Sequence, residues 1–294
     1  MFIKTILILL IAFGSLYAKK SSFKYYKNGN IVNLRIEYLN TNHFKLKDAI
    51  TGKNYRKKGR NRKFYKDFVT YNPITIFNYV DDVNTFDYLG APANPIYTDI
   101  MKYNTEDYNS RAVILKNNEI NEFLRTSIIS FTDNENIFPE NKIQGLLINK
   151  KYIIYIVQFS EDVKNNKEYI NKVKNLKYVV DWTRKKLHIK RSNIAFIGSF
   201  GLSYDYLKNK LFGFKPALKI GNRIVKVGKN KFKLKQSENV LIAQTSVFEA
   251  RTDFLIVKNG KRRNQEISKY INGVSNHYPI NLYIKNFKLK KFKR

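Results

Sequence analysis

Ile194-Ala-Phe-Ile-Gly-Ser-Phe-Gly-Leu-Ser-Tyr204 is the stretch on which the fold turns. Its first half is a continuous apolar run, the pattern of a strand buried on both faces. Its second half opens into a glycine-punctuated turn. Two further segments follow it in order. Thr252-Asp-Phe-Leu-Ile-Val257 is a strand with a carboxylate near its start, and Ser275-Asn-His-Tyr-Pro-Ile280 places a histidine just before a strand.

Working outward, strand-like and helix-like segments alternate through the chain. Ile31 to Leu39 alternates as a half-buried strand, and Pro73 introduces a short apolar strand over Ile74 to Val80. Residues 81–109 are polar, contain Pro92 and Pro95, and read as a helix followed by a long loop. Arg111 to Lys116 and Glu122 to Phe131 are expected to form two strands turning around Asn117-Asn118. Lys142 to Ile148 and Tyr152 to Phe159 are expected to form a hairpin through Asn149-Lys150-Lys151. A long helix fits Glu161 to Lys186, where Ile170, Val173, Leu176, Val180 and Trp182 recur at helical spacing. Leu218 to Leu234 holds two strands around Gly228, and Ile280 to Ile284 closes the set. Many strands, few helices and hairpin spacings predict a two-sheet α/β (α+β) sandwich in one domain.

Composition narrows the setting. Met1-Phe2-Ile3-Lys4 is a charged start, residues 5–13 are almost wholly apolar, and Gly14 to Ala18 supplies small residues. That order is a secretory signal over residues 1–18, and the apolar run is shorter than the about 20 residues a spanning helix needs. Export to a periplasmic or extracellular space follows as an expectation. The domain is expected over 19–285 and a basic tail over 286–294. With no cysteine, disulfides and thiolate metal sites are excluded, and stability must come from packing. Hydrophobic residues make up 43% of the chain, enough for a real core.

Charge points to partners. There are 55 Lys and Arg against 23 Asp and Glu, a formal net charge of +32. Such an excess favours nucleic acid or another polyanion, with an anionic membrane surface as the alternative. Arg56, Lys57, Lys58, Arg60, Arg62 and Lys63, interleaved with Tyr55 and Phe64, form the densest cluster; Arg111 is a further candidate. That mixture suits phosphate neutralisation with aromatic stacking. Among chemical motifs, the three histidines lie far apart, and no phosphate-cradling GxxxxGK[ST] or GxSxG turn is present.

The three ordered C-terminal segments resemble the endonuclease/exonuclease/phosphatase superfamily, its deoxyribonuclease I branch above all. That branch carries G-D-F-N, then Y-D-R/H-I-x-V, then S-D-H-Y-P-V. More loosely, Ile76-Phe-Asn-Tyr-Val-Asp-Asp82 is similar to L-I-Q-E-V-R-D, residues 110–115 to E-R-Y-L-F-L, and residues 155–160 to V-A-L-H-S. The resemblance implies a four-layer sandwich of two packed mixed β-sheets flanked by helices, and divalent-metal phosphoester hydrolysis at the strand ends.

It also implies that most of the machinery is substituted. The metal-binding glutamate falls at Tyr79 and the first-motif asparagine at Glu37. The glutamate that orients the first catalytic histidine falls at Ser110, and that histidine at Phe159. The G-D-F-N aspartate and asparagine fall at Ser199 and Gly201, and the S-D-H aspartate at Asn276. Asp253 and His277 match the family's hydrogen-bonded dyad. Mg²⁺ wants carboxylate oxygens, so these substitutions predict a degenerate hydrolase with no confident metal site. Mg²⁺ or another divalent ion is expected only if neighbouring acids (Glu37, Asp81, Asp82 or Glu249) rebuild one.

Overall fold

The computed structural model describes residues 31–41, 69, 72–80, 93–97, 112–131, 137–138, 143–160, 163–209, 211–219, 223–227, 230–234, 238–252, 254–258, 261–265 and 279–292; the strands at 93–97, 223–227, 230–234, 254–258 and 261–265 are described by backbone alone. Two six-stranded mixed sheets carry the architecture. The first is built from β1 (Ile31–Asn40), β2 (Ile74–Asn78), β3 (Ala93–Tyr97), β4 (Val113–Asn117), β13 (Phe248–Arg251) and β16 (Ile280–Lys288), in the order β13-β16-β1-β2-β4-β3. The second is built from β5 (Thr126–Ser130), β6 (Gln144–Ile148), β7 (Tyr152–Ser160), β8 (Ile194–Phe200), β9 (Phe214–Pro216) and β12 (Glu238–Ala243), in the order β5-β6-β7-β8-β12-β9. Each sheet has one parallel pair at its centre, β1–β2 and β7–β8, with antiparallel neighbours outside it.

Side-chain alternation explains how the sheets meet. Leu34, Ile36 and Tyr38 on β1, and Ile74 and Ile76 on β2, pack in one cluster with Ile154 and Ile156 on β7, Ile197 on β8 and Val240 on β12. Every second residue therefore faces the opposite sheet. The other face of the second sheet, including Ile153, Tyr155, Val157, Phe196 and Leu241, packs under helix α1 (Lys167–Lys186). Continuous apolar runs on β7 and β8 follow from this, since both faces of those strands are covered. The outer face of the first sheet is also buried, at Leu39, Phe77, Val113 and Leu115.

Helix α1 starts later than its apolar periodicity suggested. Asn166 caps it, its side chain accepting from the Tyr169 amide at 3.1 Å. The buried stripe is Tyr169, Val173, Leu176, Val179, Val180 and Thr183. Trp182, expected in that stripe, is only partly buried and meets Phe131 edge-on with centroids 5.7 Å apart. Thr183 belongs to the stripe because it donates to Val179 O at 2.6 Å and takes the Tyr155 hydroxyl at 2.5 Å.

The β6–β7 hairpin forms as expected. Asn149 and Lys150 both have positive φ, 52° and 53°, and the Lys151 amide donates to Ile148 O at 3.0 Å, so the three residues 149–151 join the paired ends Ile148 and Tyr152. Arg125 secures its tip, donating its amide to Asn149 Oδ1 at 2.8 Å and accepting the Asn149 amide at 2.7 Å.

Three expectations fail. Within residues 81–109, read as a helix and a long loop, 93–97 form strand β3, paired antiparallel with β4. Strands β4 and β5 do not turn back on each other around Asn117-Asn118. A 3₁₀ turn at Asn118–Ile120 carries the chain from the first sheet to the second, and a crossover between packed sheets has the same local pattern as a hairpin. The last strand also runs past residue 285, the expected end of the domain. β16 continues to Lys288, Phe287 is buried, and the Phe292 amide donates to Glu122 O at 3.0 Å. The stretch read as a basic tail is thus docked on residues 122–125, with Arg125 over the Phe292 ring and Lys291 paired to Glu122 at 3.1 Å.

Strands β10 (Arg223–Val227) and β11 (Asn230–Leu234) pair as a hairpin, as the sequence indicates. β14 (Phe254–Lys258) pairs with β15 (Lys261–Gln265) in a second two-stranded unit among the described residues. The expected signal segment 1–18 and the basic cluster from Arg56 to Lys63 lie outside the described residues. Among those described, no helix is long and apolar enough to cross a membrane.

Burial also sets a pH limit. Desolvation raises the Tyr155 phenol, and it raises the Tyr38 phenol well above its ordinary value near 10, with the Glu238 charge adding to the latter. Below pH 10 both folded and unfolded chains keep these protons. Above it the unfolded tyrosines ionise first, so stability falls with rising pH until the folded values are reached. Each phenol contributes about 1.4 kcal/mol per pH unit to that loss. Chemical denaturation between pH 8 and 11 is expected to show a flat midpoint, then a decline that Tyr155→Phe makes shallower.

Candidate functional site

The parallel pairs β1–β2 and β7–β8 bring four strand ends to one edge of the sandwich, where the two sheets leave a crevice. The C-terminal ends of β1 and β2 meet at Asn40↔Asn78, and those of β7 and β8 at Gln158↔Ser199. β12 runs antiparallel to β8, so its first residue, Glu238, stands opposite Ser199. Strand alternation places Tyr38, Asn40, Asn78, Gln158, Ser199 and Glu238 on the inter-sheet face, continuing the rows that begin with Ile36, Ile76, Ile156, Ile197 and Val240. All six are buried.

These residues form a hydrogen-bonded bridge between the sheets. Glu238 Oε1 accepts from Asn40 Nδ2 across the crevice, and from Ser199 Oγ at 2.8 Å within its own sheet. Asn78 Nδ2 donates to the Tyr38 hydroxyl at 2.9 Å. Beside them, Thr41 donates its amide to Asn78 O at 2.8 Å and its hydroxyl to Tyr79 O at 2.5 Å. Tyr79 itself is buried and turns the chain with φ 58°. An L residue other than Gly, Asn or Asp rarely adopts that backbone, and Thr41 holds it there.

The structure sorts the positions read from sequence. Ser199 is in the crevice, bound to a carboxylate instead of being one. Tyr79 adjoins the crevice at the end of β2. Gly201 follows β8 with φ 67°, and a Cβ there would lie 2.9 Å from the Tyr169 ring and 3.0 Å from Ser160 Cβ. No asparagine fits at that position unless α1 moves. Its carbonyl accepts the Lys164 and Asn165 amides at 2.9 and 3.1 Å, joining the β8 end to the start of α1.

Two assignments are corrected. Glu37 is not in the crevice: it lies on the outer face of the first sheet, fully buried, in an ion pair with Arg35. Arg35 Nε also donates to Asn281 Oδ1 at 2.8 Å. Glu37 and Asn40 are an odd number of residues apart and so lie on opposite faces of the strand; the residue of β1 that bonds to Glu238 across the crevice is Asn40. Phe159 likewise faces away, stacked on Phe138 with centroids 5.9 Å apart beneath α1. Gln158 occupies the crevice side, opposite Ser199. Glu249 pairs with Arg251 at 2.6 Å on a partly exposed edge of the first sheet. Ser110, Arg111, Asp253, Asn276 and His277 lie outside the described residues, as do Asp81 and Asp82.

Sequence reading missed Glu238, Asn40, Asn78 and Gln158. For Glu238 there was a signal: it is the one acid opening the apolar run Val240 to Ala243, in step with the inward positions 240 and 242.

The donor set tests whether a divalent cation fits. Mg²⁺ takes oxygen acceptors, with one or two carboxylates at its core. Here one oxygen of the single crevice carboxylate is already shared by an amide and a hydroxyl donor, and its neighbours are neutral. Among the described residues no group of three or more His, Cys, Asp or Glu is suited to a metal ion. Among the described residues Glu238 is the one carboxylate at the crevice, and its Oε1 is engaged by Asn40 and Ser199.

Solved structures share the fold. An endonuclease/exonuclease/phosphatase from Bacteroides vulgatus aligns over 87% of this chain and 99% of its own, with 12% identity and a TM-score of 0.52. Truncated TDP2 from Caenorhabditis elegans covers 86% of this chain and 98% of its own, at 13% identity and a TM-score of 0.48. Beta toxin from Staphylococcus aureus covers 86% and 100%, at 14% identity and a TM-score of 0.46. No family model and no curated protein matches the sequence. At these identities the likeness is one of fold.

Proposed function

We propose that this chain, which has the endonuclease/exonuclease/phosphatase fold, is an exported and catalytically degenerate member of that fold that binds nucleic acid or another polyanion. The observation that carries the reading is the closed bridge Asn40–Glu238–Ser199. At the strand ends where this fold places metal-dependent phosphoester chemistry, the chain has a buried carboxylate satisfied by its own amide and hydroxyl donors. Tyr79 stands where a metal-binding glutamate is expected, and Gly201 has no room for asparagine. Asn40, in the corrected register, supplies the asparagine of the first motif, so the scaffold of the site is kept while its acids are not. Without the metal, leaving-oxygen stabilisation and water activation are both lost. The net charge of +32 supplies the attraction for phosphate backbones.

Retention of duplex DNA and heparin by the purified mature protein tests the binding half of this reading. Binding that weakens steeply with salt is expected. No retention of either at about 50 mM salt, where phosphate contacts are strongest, would overturn it.

A second reading, residual hydrolysis, rests on the register of β13 and β16. Arg251 stands opposite Asn281, and Ile280 opposite Tyr38, at the crevice end of the first sheet. Asp253 follows Arg251 by two residues in the sequence and His277 precedes Asn281 by four. Metal-dependent cleavage abolished by His277→Ala and Asp253→Ala alike would favour that reading.

A further inference from the structure

We propose that the solvent face of helix α1 is a docking ridge for the phosphate backbone of duplex nucleic acid, separate from the crevice. Lys167, Lys174, Tyr178 and Lys185 recur at intervals of seven, four and seven residues, which keeps them on one line along the helix. Lys177 and Arg184 stand beside that line. All six are exposed. From Lys167 to Lys185 the ridge measures about 27 Å, the length of about eight base pairs of duplex.

The charge is available. Lys167, Lys174, Lys177 and Lys185 have no ion pair among the described residues. The two acids of the helix are engaged nearby: Glu168 with Lys172 at 2.7 Å and Asp181 with Arg184 at 4.0 Å. Tyr178, 39% exposed, is one of two large hydrophobic side chains left in solvent among the described residues, and Lys177 Nζ lies 4.6 Å from its ring centroid. That leaves an aromatic edge beside a cation.

The packing selects the partner. A basic amphipathic helix binds a membrane by burying its apolar face among the lipids. In α1 that face, Val173, Leu176, Val179 and Val180, is already consumed by the second sheet. The line of lysines, with Arg184 and Tyr178, remains to meet a partner, which suits phosphates and not acyl chains. One tyrosine is also too few for single-strand recognition, where successive bases stack on successive aromatics. A straight line of cations on a rigid helix suits a duplex, without reading its bases.

The ligand class rests on the polyanion reading above; the location does not. The test compares duplex retention, as a function of salt, for three proteins: wild type, Lys167→Gln/Lys174→Gln/Lys177→Gln/Lys185→Gln, and the charge-matched Lys150→Gln/Lys285→Gln/Lys288→Gln/Lys290→Gln, whose lysines are exposed elsewhere. The helix variant is expected to lower the slope of log K against log salt by about three to four, close to one per lysine. The control is expected to change it by less than about one. Equal slopes in the two variants would overturn the ridge while leaving the polyanion reading intact. Failure of wild type to bind at all would overturn both. Phosphatidylserine vesicles bound as tightly as duplex, and lost in parallel in the helix variant, would overturn the choice of nucleic acid.

Discussion

Gly198→Ala is expected to destabilise the protein by about 4–5 kcal/mol, at the upper end of what one substitution does. Gly198 sits in β8, paired with Val157 on one side and Asn239 on the other. Its φ is 138°, and a Cβ built there lies 2.0 Å from the Val157 carbonyl oxygen and 3.0 Å from its carbonyl carbon. The obstacle is backbone at the centre of the sheet, so nothing flexible can yield. Either the β7–β8 pairing opens or β8 rotates, and both displace Ser199 and Gln158 from the crevice. Gly145 makes a useful contrast. There a Cβ meets the Tyr155 ring at 2.8 Å and an Ile153 side-chain carbon at 3.1 Å; side chains can shift, and the cost is expected nearer 1–3 kcal/mol. Urea denaturation of the two variants measures the difference. Equal midpoints would mean that β8 does not hold the glycine conformation described.

Glu37→Ala is expected to cost about 3–5 kcal/mol, because it leaves the Arg35 guanidinium buried without its charge partner. Arg35 is 7% exposed and Glu37 0% exposed, so water does not replace the carboxylate. Asn281 Oδ1 remains as an acceptor, but a neutral one. Replacing both residues, Arg35→Met with Glu37→Met, removes the isolated charge as well and is expected to cost far less than Glu37→Ala alone. A double-mutant cycle by urea denaturation gives the coupling directly. Glu37→Gln, which keeps the shape but removes the charge, is also expected to weaken stability, because the Arg35 guanidinium again loses its ionic partner. A single Glu37→Ala change within about 0.5 kcal/mol of wild type, the range of an ordinary surface site, would contradict the buried pair.

Much of this architecture is legible in the sequence, for a physical reason. The apolar runs of residues 152–159 and 194–200 are buried on both faces, and such strands announce themselves without any partner information. The β6–β7 hairpin is legible because Asn149 accepts the positive φ its turn requires. What fails is information about neighbours. Nothing local distinguishes the passage from β4 to β5, which changes sheets, from a turn within one sheet. Faces fail more seriously. In β1 the apolar row Val32, Leu34, Ile36 and Tyr38 alternates with Asn33, Arg35 and Glu37, so the alternation itself sets Glu37 on the face opposite the core, and matching Glu37 to the motif ran against that signal. In β7 a one-residue offset chose Phe159, under the helix, over Gln158. Glu238 was passed over because its segment is rich in lysine, and its role emerges only when β12 is laid against β8. Pairing, which the sequence does not state, turns Ser199 from a lost aspartate into one end of a bridge.

Supercoiled-plasmid conversion by the purified mature protein, with Mg²⁺, Mn²⁺ or Ca²⁺ and with chelator, tests the degenerate-crevice account most directly. The account predicts no metal-dependent nicking above the chelated control, together with salt-sensitive retardation of the intact plasmid. Nicking that requires a divalent ion and disappears in Glu238→Gln or His277→Ala would contradict it, and would make the crevice a working, rebuilt active site.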